Sequence, residues 1–198
     1  MMTVSTKPLL LYIHGFNSSP KSLKAQQMLA YCREHRPDIR VEVPQMPCYP
    51  AQAAEFIDNQ VKALVDEGYQ IGLVGSSLGG YISTWLNDRY QLPAVLVNPA
   101  VTPYELLVDY LGDQVNPYTH EHYVLAPHHM DELRAMDVTT LRNPEQLWVL
   151  QQEGDEVLDY RQAVTKYAAC KQTVEADGDH SFVQFERFPA DIIQFLGL

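Results

Sequence analysis

The chain has 198 residues, 46% of them hydrophobic, which is enough for one domain with a substantial core. Its formal net charge of −11 argues against nucleic acid or an anionic membrane surface as partner, since both need a basic face. No apolar run reaches the ~20 residues of a bilayer span, and the start of the chain lacks the basic flank and apolar core of a secretory signal. No membrane anchor is therefore expected. Cys32, Cys48 and Cys170 are scattered and odd in number, which suits reduced thiols in a cytoplasm better than a disulfide framework.

The first apolar run, 9–13, is strand-length and opens into His14-Gly15-Phe16-Asn17-Ser18-Ser19-Pro20. Ser19-Pro20 predicts a helix start, a cap residue followed by proline in the first turn. A second strand-length run lies at 39–43. Ala54, Ile57, Val61, Leu64 and Val65 then fall three or four residues apart, the spacing of one helix face, and Gly68 stops that helix. The third run, 71–74, leads straight into Gly75-Ser76-Ser77-Leu78-Gly79, and Tyr81, Ile82, Trp85 and Leu86 follow at helical spacing. Strand, G-x-S-x-G and helix make a nucleophile elbow. Its turn is so tight that the flanking residues must be nearly free of side chain. Ser77 has glycine at −2 and +2, whereas Ser76 has Val74 and Leu78 there, so Ser77 is the candidate nucleophile.

A fourth run, 94–97, ends at Asn98-Pro99, read as a turn that lines a pocket. Residues 103–142 then break the alternation. A connection of that length is usually functional, and its tyrosines, leucines and methionines predict a helical lid over the strand ends. His120-Glu121-His122 and His128-His129 lack the spacing of a helical zinc pair and have no cysteine near them in sequence, so no metal site is expected. Strand-length runs return at 147–150 and 173–176. One helix is expected from Asp159, where Asp159 caps and Gln162 completes a capping box, and a last one over 189–196. No repeat or linker divides residues 1–198, so one domain is expected.

Strands alternating with helices predict an α/β architecture: about six strands, all parallel, with helices on both faces. Ligands on such sheets bind at the carboxyl ends of the strands. A serine needs a base, and the base needs a carboxylate to hold its tautomer. Where an elbow supplies the nucleophile, the acid and then the histidine follow in chain order. His180 is the only histidine after His129 and follows the last run. The acid lies in the loop after 147–150, which offers Glu153, Asp155, Glu156 and Asp159. Asp155 is favoured because Gly154 lets the chain turn. Asp159 is explained as a cap, and Glu156 is expected to point away. Asp177 and Asp179 read as turn residues. The oxyanion hole should come from the backbone N–H of Leu78, after the nucleophile, and of Phe16, with Gly15 permitting an unusual backbone and His14 serving as support.

These residues together resemble the α/β-hydrolase superfamily, and most closely the small bacterial YqiA-type esterases. The likeness is carried by His14 to Pro20, Gly75 to Tyr81, Leu92 to Ala100, Gly154 to Val164, Asp179 to Phe182 and Phe195 to Leu198. It implies an α/β-hydrolase fold and esterase activity on carboxylic esters or acyl thioesters such as acyl-CoA. It carries over the triad as Ser77, Asp155 and His180. The sheet should be shortened, since the His-Gly loop arrives after a single strand. The expected partner is a small-molecule ester or thioester, with no cofactor. Acyl transfer by the same triad, or a binding protein on the same fold, are the alternatives.

Overall fold

Leu9, Leu10, Leu11, Tyr12 and Ile13 are all buried, and they make up most of β1 (Lys7–Ile13) in a computed structural model that describes residues 7–198. The stretch before Lys7, on which the secretory-signal reading rests, lies outside the described residues. After β1 come helix α1 (Leu23–His35), β2 (Arg40–Glu42), α2 (Pro50–Asp66), β3 (Tyr69–Ser76), α3 (Leu78–Tyr90) and β4 (Ala94–Val97). The chain then forms α4 (Pro103–Leu106), β5 (Gly112–Val115), β6 (His122–Leu125), α5 (His128–Arg134), β7 (Leu147–Gln152), α6 (Tyr160–Lys166), β8 (Lys171–Glu175) and α7 (Pro189–Leu196).

Six strands form one sheet in the order β2-β1-β3-β4-β7-β8, and every pairing in it is parallel. The four inner strands are buried on both faces, which is why they read as unbroken apolar runs; β2 and β8 are the half-exposed edges. Leu9, Leu11, Leu73, Leu96 and Val149 face one layer, built from α2, α3, α6 and the insert. Leu10, Val74, Val95, Val97 and Leu150 face the other, built from α1 and α7. At ~25 cal/mol per Å² of apolar surface, these two cores supply most of the folding drive.

Two expectations change. Helix α1 starts at Leu23, with Ser22 as its N-cap, rather than at Ser19-Pro20. Ser19 instead caps a tight turn, its Oγ accepting from Lys21 N and its carbonyl from Ser22 N. The insert 103–142 is not helical alone. It carries short helices and an antiparallel pair, β5 with β6. Tyr123 and Leu125 alternate inward from β6 while His122 and Val124 face out, a two-residue period that pays attention to one buried face only.

Candidate active site

Ser77 sits at the β3–α3 junction with φ 55 and ψ −118, a left-handed conformation that a non-glycine residue holds only under strain. The strain is held by its backbone bonds: Ser77 N donates to Val97 O at 3.0 Å, and Ser77 O accepts from Gly80, Tyr81 and Ala100. Close approach of backbone explains the glycines around Ser77. A Cβ on Gly79 would lie 1.9 Å from Ile13 O, and one on Gly75 would lie 2.2 Å from Gly79 O. A Cβ on Gly80 would meet Pro99 at 2.8 Å.

Asp155 follows β7 and His180 follows β8, and the structure brings them together. His180 Nδ1 lies 2.8 Å from Asp155 Oδ2 and 3.0 Å from Oδ1. The Asp155 side chain is fully buried, and its Oδ1 also accepts from the N–H groups of Val157 and Leu158 at 2.9 and 2.8 Å. Facing a carboxylate, His180 carries its proton on Nδ1. The other carboxylates of the loop go elsewhere. Asp159 caps α6 through Arg161 N and pairs with the Arg161 guanidinium, which holds its pKa below the usual range. Glu156 does not point away as expected. Its Oε2 accepts the backbone N–H of His180 at 2.9 Å.

Two buried polar side chains hold the His180 loop: Asn98, expected only as a turn residue, and Gln152, which no sequence motif marks. Asn98 is fully buried at φ 41, and its Nδ2 donates to the carbonyls of Asp179 and His180 at 3.0 and 3.2 Å. Its Oδ1 accepts from Gln151 Nε2 and Gln152 N. Gln152, also buried, accepts from Asp179 N and Val183 N and donates to Glu175 and to Val183 O. Both stand at strand ends, beside the ligand edge of the sheet. That position was the available signal, since a polar side chain buried there needs partners.

The loop after β1 passes directly over Ser77: a Cβ on Gly15 would lie 3.2 Å from Ser77 Cβ and 3.8 Å from its Oγ. Gly15 is needed for this close passage, since its φ is not in the left-handed region; Asn17, at φ 49, is the residue that takes that conformation. His14 lies beneath, 4% exposed, with Nδ1 bonded to Gly15 O at 2.9 Å and Nε2 accepting from Met46 N at 3.0 Å. Both ring nitrogens are spent in the neutral form, and burial pushes its pKa down. Neither Phe16 N–H nor Leu78 N–H donates to a protein acceptor outside regular secondary structure among the described residues, and Leu78 opens a helix, where the first amides have no intrahelical partner.

Two clefts meet at Phe16, Asn17, Ser77 and His180. One, about 260 Å³, is walled mainly by Leu78, Ala100, Leu106, Leu107, Tyr110 and Val157. The other, about 400 Å³, runs over the start of α1 and is the more polar of the two, with Ser22, Lys24, Ser76 and Glu156 in its wall beside Phe16, Leu23 and Tyr118. The insert is tied to the loop between them: Tyr123 Oη donates to Asn17 Oδ1 at 2.7 Å, and Asn116 Nδ2 donates to Ser18 O at 3.0 Å. In the insert, His128, His129 and Glu132 place donor atoms within 4.8 Å of one another. His129 Nδ1 is already engaged by Ala126 N–H at 2.8 Å, and its ring packs on Tyr49. Cys32, Cys48 and Cys170 are all free. No helix of the described residues is long and apolar enough to cross a membrane.

The elbow, the strand order and the sheet together define the α/β-hydrolase fold. Est1E from Butyrivibrio proteoclasticus superimposes with a TM-score of 0.74 at 14% identity, over 96% of this chain and 87% of that one. The esterase domain of a Rhodothermus marinus protein gives 0.68 at 18%, over 98% and 90%. Alpha/beta hydrolase domain-containing protein 10 from mouse gives 0.63 at 16%, over 97% and 88%. At these identities the likeness is one of fold. By sequence, residues 9–197 match the family described as Uncharacterised protein family (UPF0227), and the chain belongs to it.

Proposed function

We propose that the chain is a serine hydrolase that cleaves carboxylic esters or acyl thioesters, acyl-CoA among them, through an acyl-enzyme. The reading is carried by one observation: the His180 imidazole is bonded to the buried Asp155 carboxylate and lines the same two clefts as the strained Ser77. Ser77 Oγ attacks the carbonyl carbon and its proton passes to His180 Nε2, while Asp155 holds the tautomer and offsets the imidazolium charge. The amides of Phe16 and Leu78 receive the oxyanion, aided by the α3 dipole. Collapse breaks the bond to the leaving group, which takes the proton from His180. Water then attacks the acyl carbon, gives its proton to His180, and releases the acid and free Ser77.

The apolar cleft takes the acyl group and the polar cleft the leaving group. Residues 103–142 act as a lid in this reading, since Leu106, Leu107 and Tyr110 wall the acyl side. The chemistry needs nothing beyond the chain and water. The test is a fluorophosphonate probe together with a panel of esters and acyl-CoA thioesters of varied chain length. The expected result is covalent labelling at Ser77 and turnover that Ser77→Ala lowers by roughly 10⁴ to 10⁶ with folding intact. Full activity in Ser77→Ala would sink the proposal, and a preference for added alcohols over water as acceptor would turn it into acyl transfer.

A further inference from the structure

The polar cleft has more hydrogen-bonding capacity than the protein uses. Tyr12 is 1% exposed, and its hydroxyl makes no hydrogen bond of full geometry; Ser76 is its one polar neighbour, close enough to hold the Tyr12 pKa back against the rise that burial causes. Ser22 Oγ is likewise buried and unpartnered, and as N-cap of α1 it does not cap its own helix. An unsatisfied buried polar group is costly, and the three others among the described residues, on Gln27, Gln60 and Asp88, lie outside this cleft, whereas Tyr12 and Ser22 do not. Both residues line the cleft that Ser77 and His180 share.

Lys24 lines it too and is the only lysine or arginine that does. Its Nζ donates to Ser181 O at 2.7 Å, and an ammonium has further protons to give. Burial lowers its pKa to about 8, with Asp179 and Asp155 pulling it back up. The 13-residue α1 begins at this cleft with no acidic residue in its first turn, leaving its free amides and positive dipole end uncompensated. Glu156 is the one carboxylate in the wall, and it is already bonded to His180 N.

Resting on the hydrolase reading above, we infer that this cleft is a subsite for an oxyanion group, a carboxylate or phosphate on the leaving-group side of the substrate, held by Lys24, Tyr12, Ser22 and the start of α1. The esters cleaved best are then anionic on the alcohol or phenol portion. This divides the site by chemistry, with an apolar acyl half and a leaving-group half that holds Lys24 on either side of Ser77.

The test pairs 4-butanoyloxybenzoate with 4-butanoyloxybenzamide, which differ in charge and hardly in shape. Wild type should prefer the benzoate in kcat/KM by about tenfold, the scale of one charge-assisted hydrogen bond. Lys24→Met should bring the ratio toward one, Tyr12→Phe should narrow it, and Glu156→Gln should widen it. Calorimetry on Ser77→Ala with 4-hydroxybenzoate, 4-hydroxyphenyl phosphate and 4-hydroxybenzamide reads binding without turnover and ranks carboxylate against phosphate. Tyr12→Phe should weaken the anions while leaving the melting temperature of the free protein close to wild type, because the hydroxyl it removes makes no hydrogen bond of full geometry. Hydrolysis of both esters with a ratio of one, or a ratio untouched by Lys24→Met, overturns the subsite and leaves the hydrolase standing. Anion-selective binding with neither ester cleaved does the reverse. Equal binding of the three phenols, or none, shows no selectivity for the anion and ends the inference.

Discussion

Asn98, at the carboxyl end of β4, donates its side-chain amide to the backbone carbonyl of His180, 82 residues away in the chain, at 3.2 Å. The same amide holds Asp179 O, and its oxygen holds the end of β7 through Gln152 N. One side chain therefore ties the His180 loop to the end of β7. Asn98→Ala takes the partner from the part-buried His180 carbonyl and from the buried Gln152 N–H, at ~1–3 kcal/mol for a fully buried group, while Asp179 O keeps Phe182 N. It should lower the melting temperature by several degrees and lower kcat more than it changes KM, in thermal melts and steady-state assays on an ester substrate. An Asn98→Ala enzyme with wild-type kcat would mean that the loop holds itself.

Asp155 and Asp159 separate by substitution. Asp155→Asn leaves His180 with the wrong tautomer and should reduce kcat on the order of 10⁴-fold. Asp159→Asn touches only the cap of α6 and its Arg161 partner, so turnover should stay near wild type. Greater damage from the Asp159 change would reassign the acid.

The elbow trades stability for reactivity. Ser77 holds φ 55 in a left-handed region that penalises side chains. Ser77→Gly relieves ~1–3 kcal/mol of strain, less the added freedom of the unfolded glycine. It should raise the melting temperature by a few degrees, at ~2–4 °C per kcal/mol for a chain of this size, while abolishing hydrolysis. A lower melting temperature would show that the turn is not strained.

Gly79→Ala places a methyl 1.9 Å from the carbonyl oxygen of Ile13, with backbone on both sides. The helix must then lift from the sheet. The expected outcome is loss of soluble, folded protein on expression. A Gly79→Ala chain that melts like wild type would disprove the close approach.

His14 makes stability pH-dependent. Burial holds its folded pKa below 6.5, so on acidification the unfolded chain takes up the proton first. Its contribution is complete above 6.5 and is lost as pH falls from 6.5 toward the lowered folded value, because protonated Nε2 can no longer accept from Met46 N. Thermal melts across this window should show a slope that His14→Gln flattens. An unchanged slope in the variant would assign the acid sensitivity to other groups.

Short-range physics was legible in the residues themselves. The six parallel strands followed from unbroken apolar runs, the helix faces from three- and four-residue spacing, and the elbow from the two glycines that let backbone cross backbone at Ser77. That Asp155 and His180 stand at strand ends followed from chain order alone. Tertiary packing decided the rest. Glu156 turned back to the His180 amide, β5 and β6 paired inside an insert that read as helical, and Asn98 and Gln152 became the struts of the base loop. The vacant donors of Tyr12 and Ser22 also emerged only in three dimensions. A periodicity or a steric limit acts between neighbours and is written locally. A hydrogen bond between strand ends dozens of residues apart depends on which strands lie side by side, and no local pattern encodes that adjacency.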